Sequence, residues 1–311
     1  MNKIEAILQE LKKQNLSNSE IEELSQCIKK INEEELNILF VGATGVGKSS
    51  TINAIFDADV AKVGYSPNPE TMSIKKYEMD NMVLWDTPGL GDSPDKDRQY
   101  AKEIINALKQ TDGNGNLLID EVVVLVDGSN RDMKTTYEII EKIILPYMEE
   151  ERIVIAINQC DMAMKGRHWN EENACPEPEL EQFLNSKVES IEQRILASTG
   201  VQTNPIFYSA LYKYNISKLL CSMIKNVPDT KRFLVMDNLN EDPEIWAQND
   251  DLEDYNAEIQ NDIKNSMLQV IVDTLEGARA GARLGAKIPV IGKVVGAVVG
   301  GALGFLGSLI K

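Results

Sequence analysis

The stretch that decides the fold is NILFVGATGVGKSSTINAIF, residues 37–56. It runs from a short apolar segment through a glycine-rich turn into a segment with helical spacing of apolar residues. Gly42 and Gly47 are separated by four residues, and Lys48 and Ser49 follow directly. A strand before this spacing and a helix after it give the P-loop pattern, in which backbone N–H groups and a lysine bind phosphate. The stretch therefore predicts a phosphate-binding loop at the end of a β-strand.

The loop forms the first part of a predicted nucleotide site. We expect Lys48 to reach the terminal phosphates and the Ser49 hydroxyl to ligate Mg²⁺. The predicted nucleotide-contacting residues of the loop are Gly42, Ala43, Thr44, Gly45, Val46, Gly47, Lys48, Ser49 and Ser50.

A second motif, LWDTPGLGD at residues 84–92, places Asp86 at the end of an apolar run and Gly89 three residues later. In P-loop enzymes an acidic residue at this place holds Mg²⁺, and we expect the Gly89 N–H to meet the terminal phosphate. Lys48 and Gly89 are thus candidate catalytic residues. Ser49 and Asp86 are candidate metal ligands.

The base is read by a third and a fourth motif. In IVIAINQCD, residues 153–161, Asn158 and Asp161 follow an apolar run. A carboxylate there can accept both the ring N–H and the exocyclic amine of guanine, a donor pair that adenine lacks. In FYSAL, Ser209 and Ala210 follow the last apolar run, where the Ala210 N–H can contact the guanine carbonyl. These residues predict GTP, rather than ATP, as the nucleotide.

Short apolar runs alternate with helix-length segments from residue 36 onward. This rhythm predicts an α/β fold with a mostly parallel six-stranded sheet, and Asp80-Asn81 predicts one antiparallel hairpin. The six predicted strands are LNILFV, SIKKYEM, MVLWD, EVVVLVD, RIVIAIN and PIFYS. We expect three parts: an N-terminal helical hairpin at residues 1–36, the nucleotide domain at 37–227 and a C-terminal helical region at 228–311, in which an amphipathic helix precedes a glycine-rich apolar tail.

Composition limits the range of functions. The formal net charge of −17 disfavours general nucleic-acid binding, because phosphate backbones are bound through Lys and Arg. The four cysteines contain no C-x-x-C pair, and His168 is the only histidine, which disfavours a disulfide framework and multi-histidine metal sites. The N-terminus lacks the apolar core of a signal peptide, so we expect a cytoplasmic protein.

The ordered set GATGVGKS, DTPG, NQCD and SA resembles the translation-factor-related GTPases, and more narrowly their Era-like and septin-like branches. The run NQCDMAMKGRHW is similar to the bacterial YfjP-like GTPases. The resemblance covers about residues 37–226. It implies a GTPase domain that binds GTP or GDP with Mg²⁺, hydrolyses GTP to GDP and phosphate, and acts as a switch. Ribosome association is implied by family analogy only.

Two positions qualify the resemblance. The family usually has a Lys where this chain has Gln159; the aliphatic stem of Gln159 can still stack on the base, so we expect guanine specificity with weaker affinity. Family members also bind Mg²⁺ through a Thr of the switch loop, here between Phe56 and Tyr77. Thr71 is our choice for that catalytic and metal-binding Thr, and Ser73 is the alternative.

Leu90 stands where many GTPases have the Gln that orients the attacking water, and leucine cannot hydrogen-bond water. The catalytic group must then come from a second chain, a partner or another polar residue. Arg98 and Arg131 are candidates for an arginine supplied in trans, against the alternative that both are simply solvated. Gly45 occupies the place of the Asn that ligates potassium in some relatives, which disfavours that route. We expect slow intrinsic hydrolysis, raised by homodimerisation or a partner.

Residues 294–310 carry no charged side chain, and Gly292, Gly296, Gly300 and Gly304 recur every four residues. After Glu276 the only charged residues are basic, which fits an anionic membrane surface contacted through residues 277–311. The protein would then be peripheral, or reversibly inserted, at the inner face of the membrane. The alternative is a helical hairpin packed against the N-terminal helices.

Two further alternatives for function stay open at the level of sequence. One is a GTP-controlled membrane effector that uses the tail in a dynamin-like or pore-like way, and the other is a non-hydrolysing septin-like scaffold. The insertion GRHWNEENACPEPE, residues 166–179, either covers the base, contacts a partner or is a plain surface loop.

Overall fold

The computed structural model describes residues 33–56, 62–65, 73–91, 93–130, 133–240, 242–246, 248–251, 253–277, 291–293 and 295, with scattered positions before residue 33. In chain order the strands are β1 (Leu36–Gly42), β2 (Lys62–Tyr65), β3 (Lys75–Met79), β4 (Met82–Asp86), β5 (Glu121–Asp127), β6 (Ile153–Asn158), β7 (Trp169–Asn170), β8 (Cys175–Pro176) and β9 (Ile206–Phe207). The predicted N-terminal hairpin and almost all of the predicted apolar tail lie outside these residues.

Seven strands form one sheet in the order β2-β3-β4-β1-β5-β6-β9, and β7 pairs only with β8. Strands β4, β1, β5, β6 and β9 are parallel, whereas β2 and β3 run antiparallel to their neighbours. All six predicted strands are present, and the hairpin at Asp80-Asn81 is confirmed. Strand β2 adds a seventh, edge strand that the sequence pattern did not predict.

Helices cover both faces of the sheet. They are α1 (Lys48–Ile55), α2 (Pro94–Leu108), α3 (Lys134–Glu138, continued by a π-helix over Ile139–Ile144), α4 (Pro178–Thr199), α5 (Ile216–Asn226) and α6 (Tyr255–Gly277). 3₁₀ helices occur at Glu150–Arg152, Cys160–Gly166, Arg232–Asp237 and Pro243–Trp246. Helices α2 and α4 each have proline in the first turn, where no intrahelical N–H bond is lost.

Alternate residues of the central strands enter two separate cores. Ile38 and Phe40 of β1 pack in one core with α1, α5 and α6, whereas Leu39 and Val41 pack in the other with α2, α3 and α4. Burial on both faces explains why the central strands are near-continuous apolar runs. The two cores fix the strand ends at which the motifs lie.

The C-terminal region packs on the first core. Helix α6 buries Ile259, Ile263, Met267 and Ile271 there, and it contacts both α5 and Arg232–Asp237. The predicted amphipathic helix is therefore present, with its apolar face covered. The start of the tail follows it, since Ile291 is buried in the same core. Within the described part of the chain, no helix is long and apolar enough to cross a membrane.

Candidate functional site

The P-loop joins the carboxyl end of β1 to the amino end of α1, and two of its glycines have no room for a side chain. A Cβ on Gly42 would lie 2.7 Å from the carbonyl oxygen of Leu125. Gly47 has a positive φ of 91°, and a Cβ there would lie 2.4 Å from Nδ2 of Asn158. These close approaches bring the loop against β5 and against the guanine motif.

Several backbone donors of the loop are unpaired within the described part of the chain. No acceptor among the described residues takes the backbone N–H groups of Gly45, Gly47, Ser49 or Ser50. Helix α1 has no acidic residue in its first turn that could compete for them. Lys48 Nζ donates to the carbonyl oxygens of Gly42 (3.2 Å) and Ala43 (3.1 Å), which holds the ammonium over the loop. Orphan N–H groups, the positive end of a helix dipole and an ammonium together form an anion site.

The two predicted metal ligands lie in contact. The Ser49 hydroxyl donates to Asp86 Oδ2 at 2.6 Å. Burial raises the pKa of Asp86 above its usual value, while the Ser49 hydrogen bond and the charges of Lys48 and Lys75 oppose that shift. Among the described residues no cluster of three His, Cys, Asp or Glu side chains could hold a metal by itself. One hydroxyl and one carboxylate beside an anion site suit Mg²⁺, which is commonly held by one or two protein oxygens together with phosphate oxygens.

The DTPG segment lies directly on the P-loop. Leu90 N donates to the carbonyl oxygen of Gly42 (3.2 Å), and Thr44 N donates to that of Leu90 (3.0 Å). A Cβ on Gly89 would lie 2.4 Å from Cα of Thr44, so this position also requires glycine. The Leu90 side chain is only 4% exposed and packs in the second core. Its backbone faces the phosphate loop, and its side chain does not.

Asn158 connects three segments of the site. Its Nδ2 donates to the carbonyl oxygen of Val46 (2.9 Å), and its Oδ1 accepts from the N–H of Ala210 (3.1 Å). Gln159, with a positive φ of 59°, donates from Nε2 to the carbonyl oxygen of Gly45 at 2.9 Å. The P-loop, the end of β6 and the turn after β9 are therefore one connected unit.

Asp161 lies beside this unit. The residue as a whole is 5% exposed, and its carboxylate oxygens are not among the fully buried side-chain atoms without a partner in the described part of the chain. Ser209 is buried and pairs with Tyr214 through the backbone, while its hydroxyl accepts from the N–H of Tyr212. A carboxylate can accept two hydrogen bonds side by side, so Asp161 can bind a ligand edge that presents two adjacent donors.

The insertion after the guanine motif packs on the neighbouring turn. Strands β7 and β8 form a small hairpin, and the ring of Trp169 lies 5.1 Å from that of Tyr212 and 5.6 Å from that of Tyr214. His168 lies 3.2 Å from Glu177 across the hairpin. The insertion thus braces the two guanine-motif segments against each other, a contact that the sequence pattern did not indicate.

A second missed contact supports the P-loop helix. The hydroxyls of Thr51 and Tyr208 lie 2.6 Å apart in a fully buried position, and Thr51 also donates to the carbonyl oxygen of Gly47. Tyr208 precedes Ser209, so this pair connects α1 to the end of β9. The only feature of the sequence that could have indicated this contact is a tyrosine, Tyr208, in an otherwise apolar run.

The candidates for catalysis outside these motifs are less well placed. Thr71 and Arg131 lie outside the described residues. Both the N–H and the hydroxyl of Ser73, the alternative to Thr71, donate to Glu103 of α2. The Arg98 side chain is 78% exposed and lies 3.8 Å from Asp95, which agrees with a solvated arginine.

A large cavity lies away from this site. It has a volume of about 910 Å³ and is lined by the start of β6, the loop before β9 and side chains of α4 and α5. None of the predicted nucleotide-contacting or metal-binding residues lines it.

Comparison with known proteins agrees with this geometry. Residues 37–159 match the family described as 50S ribosome-binding GTPase. The probable GTP-binding protein EngB of Thermosipho africanus is 31% identical over 144 residues, which cover 43% of this chain and 69% of that protein. The chain is a P-loop GTPase of the EngB-like type. The uncharacterized protein YkfA of Escherichia coli is 28% identical to this GTPase over 145 residues, 46% of the chain and 47% of YkfA.

The coverage of other relatives is smaller. EngB of Malacoplasma penetrans is 39% identical over 61 residues, so this GTPase spans only 32% of that relative's length. Among solved structures, the G domain of the T. maritima FeoB iron transporter matches 62% of the chain at 18% identity, with a TM-score of 0.38 and 99% of that domain covered. A probable EngB structure matches 61% at 23% identity, with a TM-score of 0.36 and 97% covered. TM-scores this low carry no functional argument.

Proposed function

We propose that this chain binds GTP with Mg²⁺ and hydrolyses it slowly to GDP and phosphate, acting as a molecular switch. The observation that carries the proposal is the Asn158 side chain. It joins the P-loop at Val46 to the turn at Ala210, close in sequence to Asp161. The phosphate site and the base site are thereby fixed relative to each other, as one nucleotide requires.

The phosphate end is assigned to the donors of the P-loop. Backbone N–H groups and Lys48 bind the phosphate oxygens, and the Gly89 N–H meets the terminal phosphate. Ser49 and Asp86 hold Mg²⁺, with Thr71 as the proposed third protein ligand. When bound, the ion supplies positive charge that offsets the charge developing on the phosphate oxygens. Lys48 supports the same charge from the protein side.

The base end is assigned to the turn after β6. Asp161 accepts from the two donors on one edge of guanine, Gln159 lies along the ring, and the Ala210 N–H contacts the guanine carbonyl. Adenine presents no matching donor pair to Asp161, so the two hydrogen bonds made by guanine would be lost. This cost supports discrimination in favour of GTP.

Slow turnover follows from Leu90. Its side chain packs in the second core, so it cannot orient water. An orienting or charge-stabilising group must be added, and we propose that a second copy of this chain, or a partner, supplies it.

Within the GTPases we place the chain nearest the Era-like, septin-like and YfjP-like branches on the basis of its motifs. Ribosome association is proposed by family analogy only.

The test is phosphate release from GTP, with ATP as control, across a series of protein concentrations and with or without anionic liposomes. Lys48→Ala serves as the inactive reference. We expect low release at low concentration, a specific rate that rises with protein concentration, and no release from ATP. Fast release that is independent of concentration would contradict dimer activation, and equal use of ATP would contradict the assignment of Asp161.

A non-hydrolysing scaffold is the second candidate, and the burial of the Leu90 side chain favours it. That candidate predicts protein that retains GTP and releases no phosphate at any concentration. The membrane alternative rests on the sequence of residues 277–311 alone. The liposome arm, repeated after deletion of those residues, decides it.

A further inference from the structure

A loop outside the four motifs supports the guanine-reading turn. The loop at residues 127–130 begins at Asp127, the last residue of β5, which pairs with Asn158 in the parallel ladder. Gly128 N donates to the carbonyl oxygen of Asn158 at 2.7 Å. A Cβ on Gly128 would lie 2.6 Å from the same oxygen and 3.1 Å from the carbonyl of Gln159. The position of this loop therefore sets the position of the backbone that presents Asn158 and Gln159.

One lysine holds the loop. Lys187 lies on α4, and its Nζ donates to the carbonyl oxygens of Asp127 (2.9 Å), Gly128 (2.8 Å) and Asn130 (2.7 Å). An ammonium has three donors, so these three bonds use its full capacity. Asp127 Oδ1 in turn accepts from the N–H and hydroxyl of Ser129, which closes the loop on itself. The loop is thus clamped from α4 on one side and by its own turn on the other.

We propose that Lys187 is a positioning residue for guanine recognition: it holds the loop after β5 against the Asn158–Gln159 turn. The inference rests on the proposed function, because it assigns a role in binding the same nucleotide. The lysine touches neither base nor phosphate in this assignment. It acts through Gly128, whose backbone lies directly against the Asn158–Gln159 turn. Because Gly128 has no side chain that could absorb a movement, a shift of the loop would shift the turn as well.

The protonation state of Lys187 gives a specific signature. Burial lowers its pKa to about 8, and the nearby charge of Asp127 opposes that shift. Below that pH the ammonium donates to all three carbonyl oxygens. Above it, a neutral amine has two donors and a lone pair, so one carbonyl loses its partner. Guanine nucleotide affinity is therefore expected to fall between pH 7 and pH 9.

The experiment measures GDP affinity by titration calorimetry for the wild-type protein, Lys187→Met, Lys187→Arg and Arg194→Met at pH 7 and pH 9. Arg194 is the matched control because it is a cation exposed on the same helix, with its guanidinium 5.4 Å from the Tyr137 ring. Thermal unfolding of each variant verifies that it is folded at the assay temperature. We expect about tenfold weaker GDP binding for Lys187→Met at pH 7, and no change for Arg194→Met.

The Lys187→Arg variant separates the pH dependence caused by Lys187 from that caused by the nucleotide base. Arginine stays charged at pH 9, so any loss of affinity that it shares with the wild type comes from groups other than Lys187, among them guanine itself. Only the additional loss in the wild type belongs to Lys187. Equal GDP affinity of folded Lys187→Met and Arg194→Met would overturn the inference. Failure of the wild-type protein to bind GDP at either pH would instead overturn the proposed function.

Discussion

Replacing Leu90 by Gln tests whether the missing water-orienting residue can simply be restored. In many GTPases a Gln at this position orients the attacking water. Here the backbone of residue 90 is fixed by hydrogen bonds to Gly42 and Thr44, and its side chain is 4% exposed in the second core. A Gln at this position would point into apolar surroundings and away from the phosphates. We expect Leu90→Gln to leave the rate of phosphate release unchanged.

The same substitution should cost stability. It replaces buried apolar groups by an amide without partners, and an unsatisfied buried amide costs about 1–3 kcal/mol in addition to the lost apolar burial. The sum is about 2–4 kcal/mol, which lowers the midpoint of thermal unfolding by roughly 5–15 °C. Leu90→Met is the control, because swaps that conserve apolar volume usually cost less than about 1.5 kcal/mol.

The assay compares single-turnover phosphate release and thermal unfolding for the wild-type protein and both variants, at equal nucleotide occupancy. A Leu90→Gln protein with an unchanged unfolding midpoint and a rate raised about tenfold or more would refute the reasoning. It would mean that the side chain at residue 90 leaves the core and reaches the phosphates when GTP is bound.

Three further outcomes follow from buried groups. Asp161→Ala should weaken GDP binding at least about a hundredfold while the folded state persists, as measured by calorimetry and thermal unfolding. Burial, and after it the charge of Asp120, raises the pKa of Glu121. The folded state therefore holds the proton of Glu121 more tightly than the unfolded state does. The contribution of Glu121 to stability is full below its usual pKa and is lost as pH rises through the raised value. Glu121→Gln should then raise the unfolding midpoint at pH 8 and flatten its pH dependence. Tyr208→Phe should cost about 1 kcal/mol in denaturant unfolding, because Thr51 keeps its bond to the P-loop.

The sequence predicted the sheet and the nucleotide motifs because both depend on local patterns. Doubly buried strands read as apolar runs, and the P-loop needs glycines at fixed positions, as the close contacts of Gly42 and Gly47 show. The edge strand β2 was missed because its four residues, KVGY, form no apolar run and contain a strand-weakening glycine. The pairing of a segment this short depends on its neighbour β3.

Contacts between distant segments escaped prediction for a related reason. Lys187 and Asp127 are sixty positions apart, and nothing in a lysine on a polar helix face marks it as a donor to three carbonyl oxygens. The direction of the Leu90 side chain was equally hidden. Sequence shows that leucine cannot orient water, whereas only packing shows that the position itself points into the core.

Gln159 shows how the guanine turn keeps its form after losing the usual lysine. A lysine at this place would provide a donor toward the P-loop, a stem along the base and a positive charge. Gln159 Nε2 donates to the carbonyl oxygen of Gly45, so the donor is retained, and the aliphatic stem is shorter but present. Only the charge is lost. Because discrimination against adenine is assigned to Asp161, the substitution is expected to reduce affinity for all guanine nucleotides without changing which base is preferred.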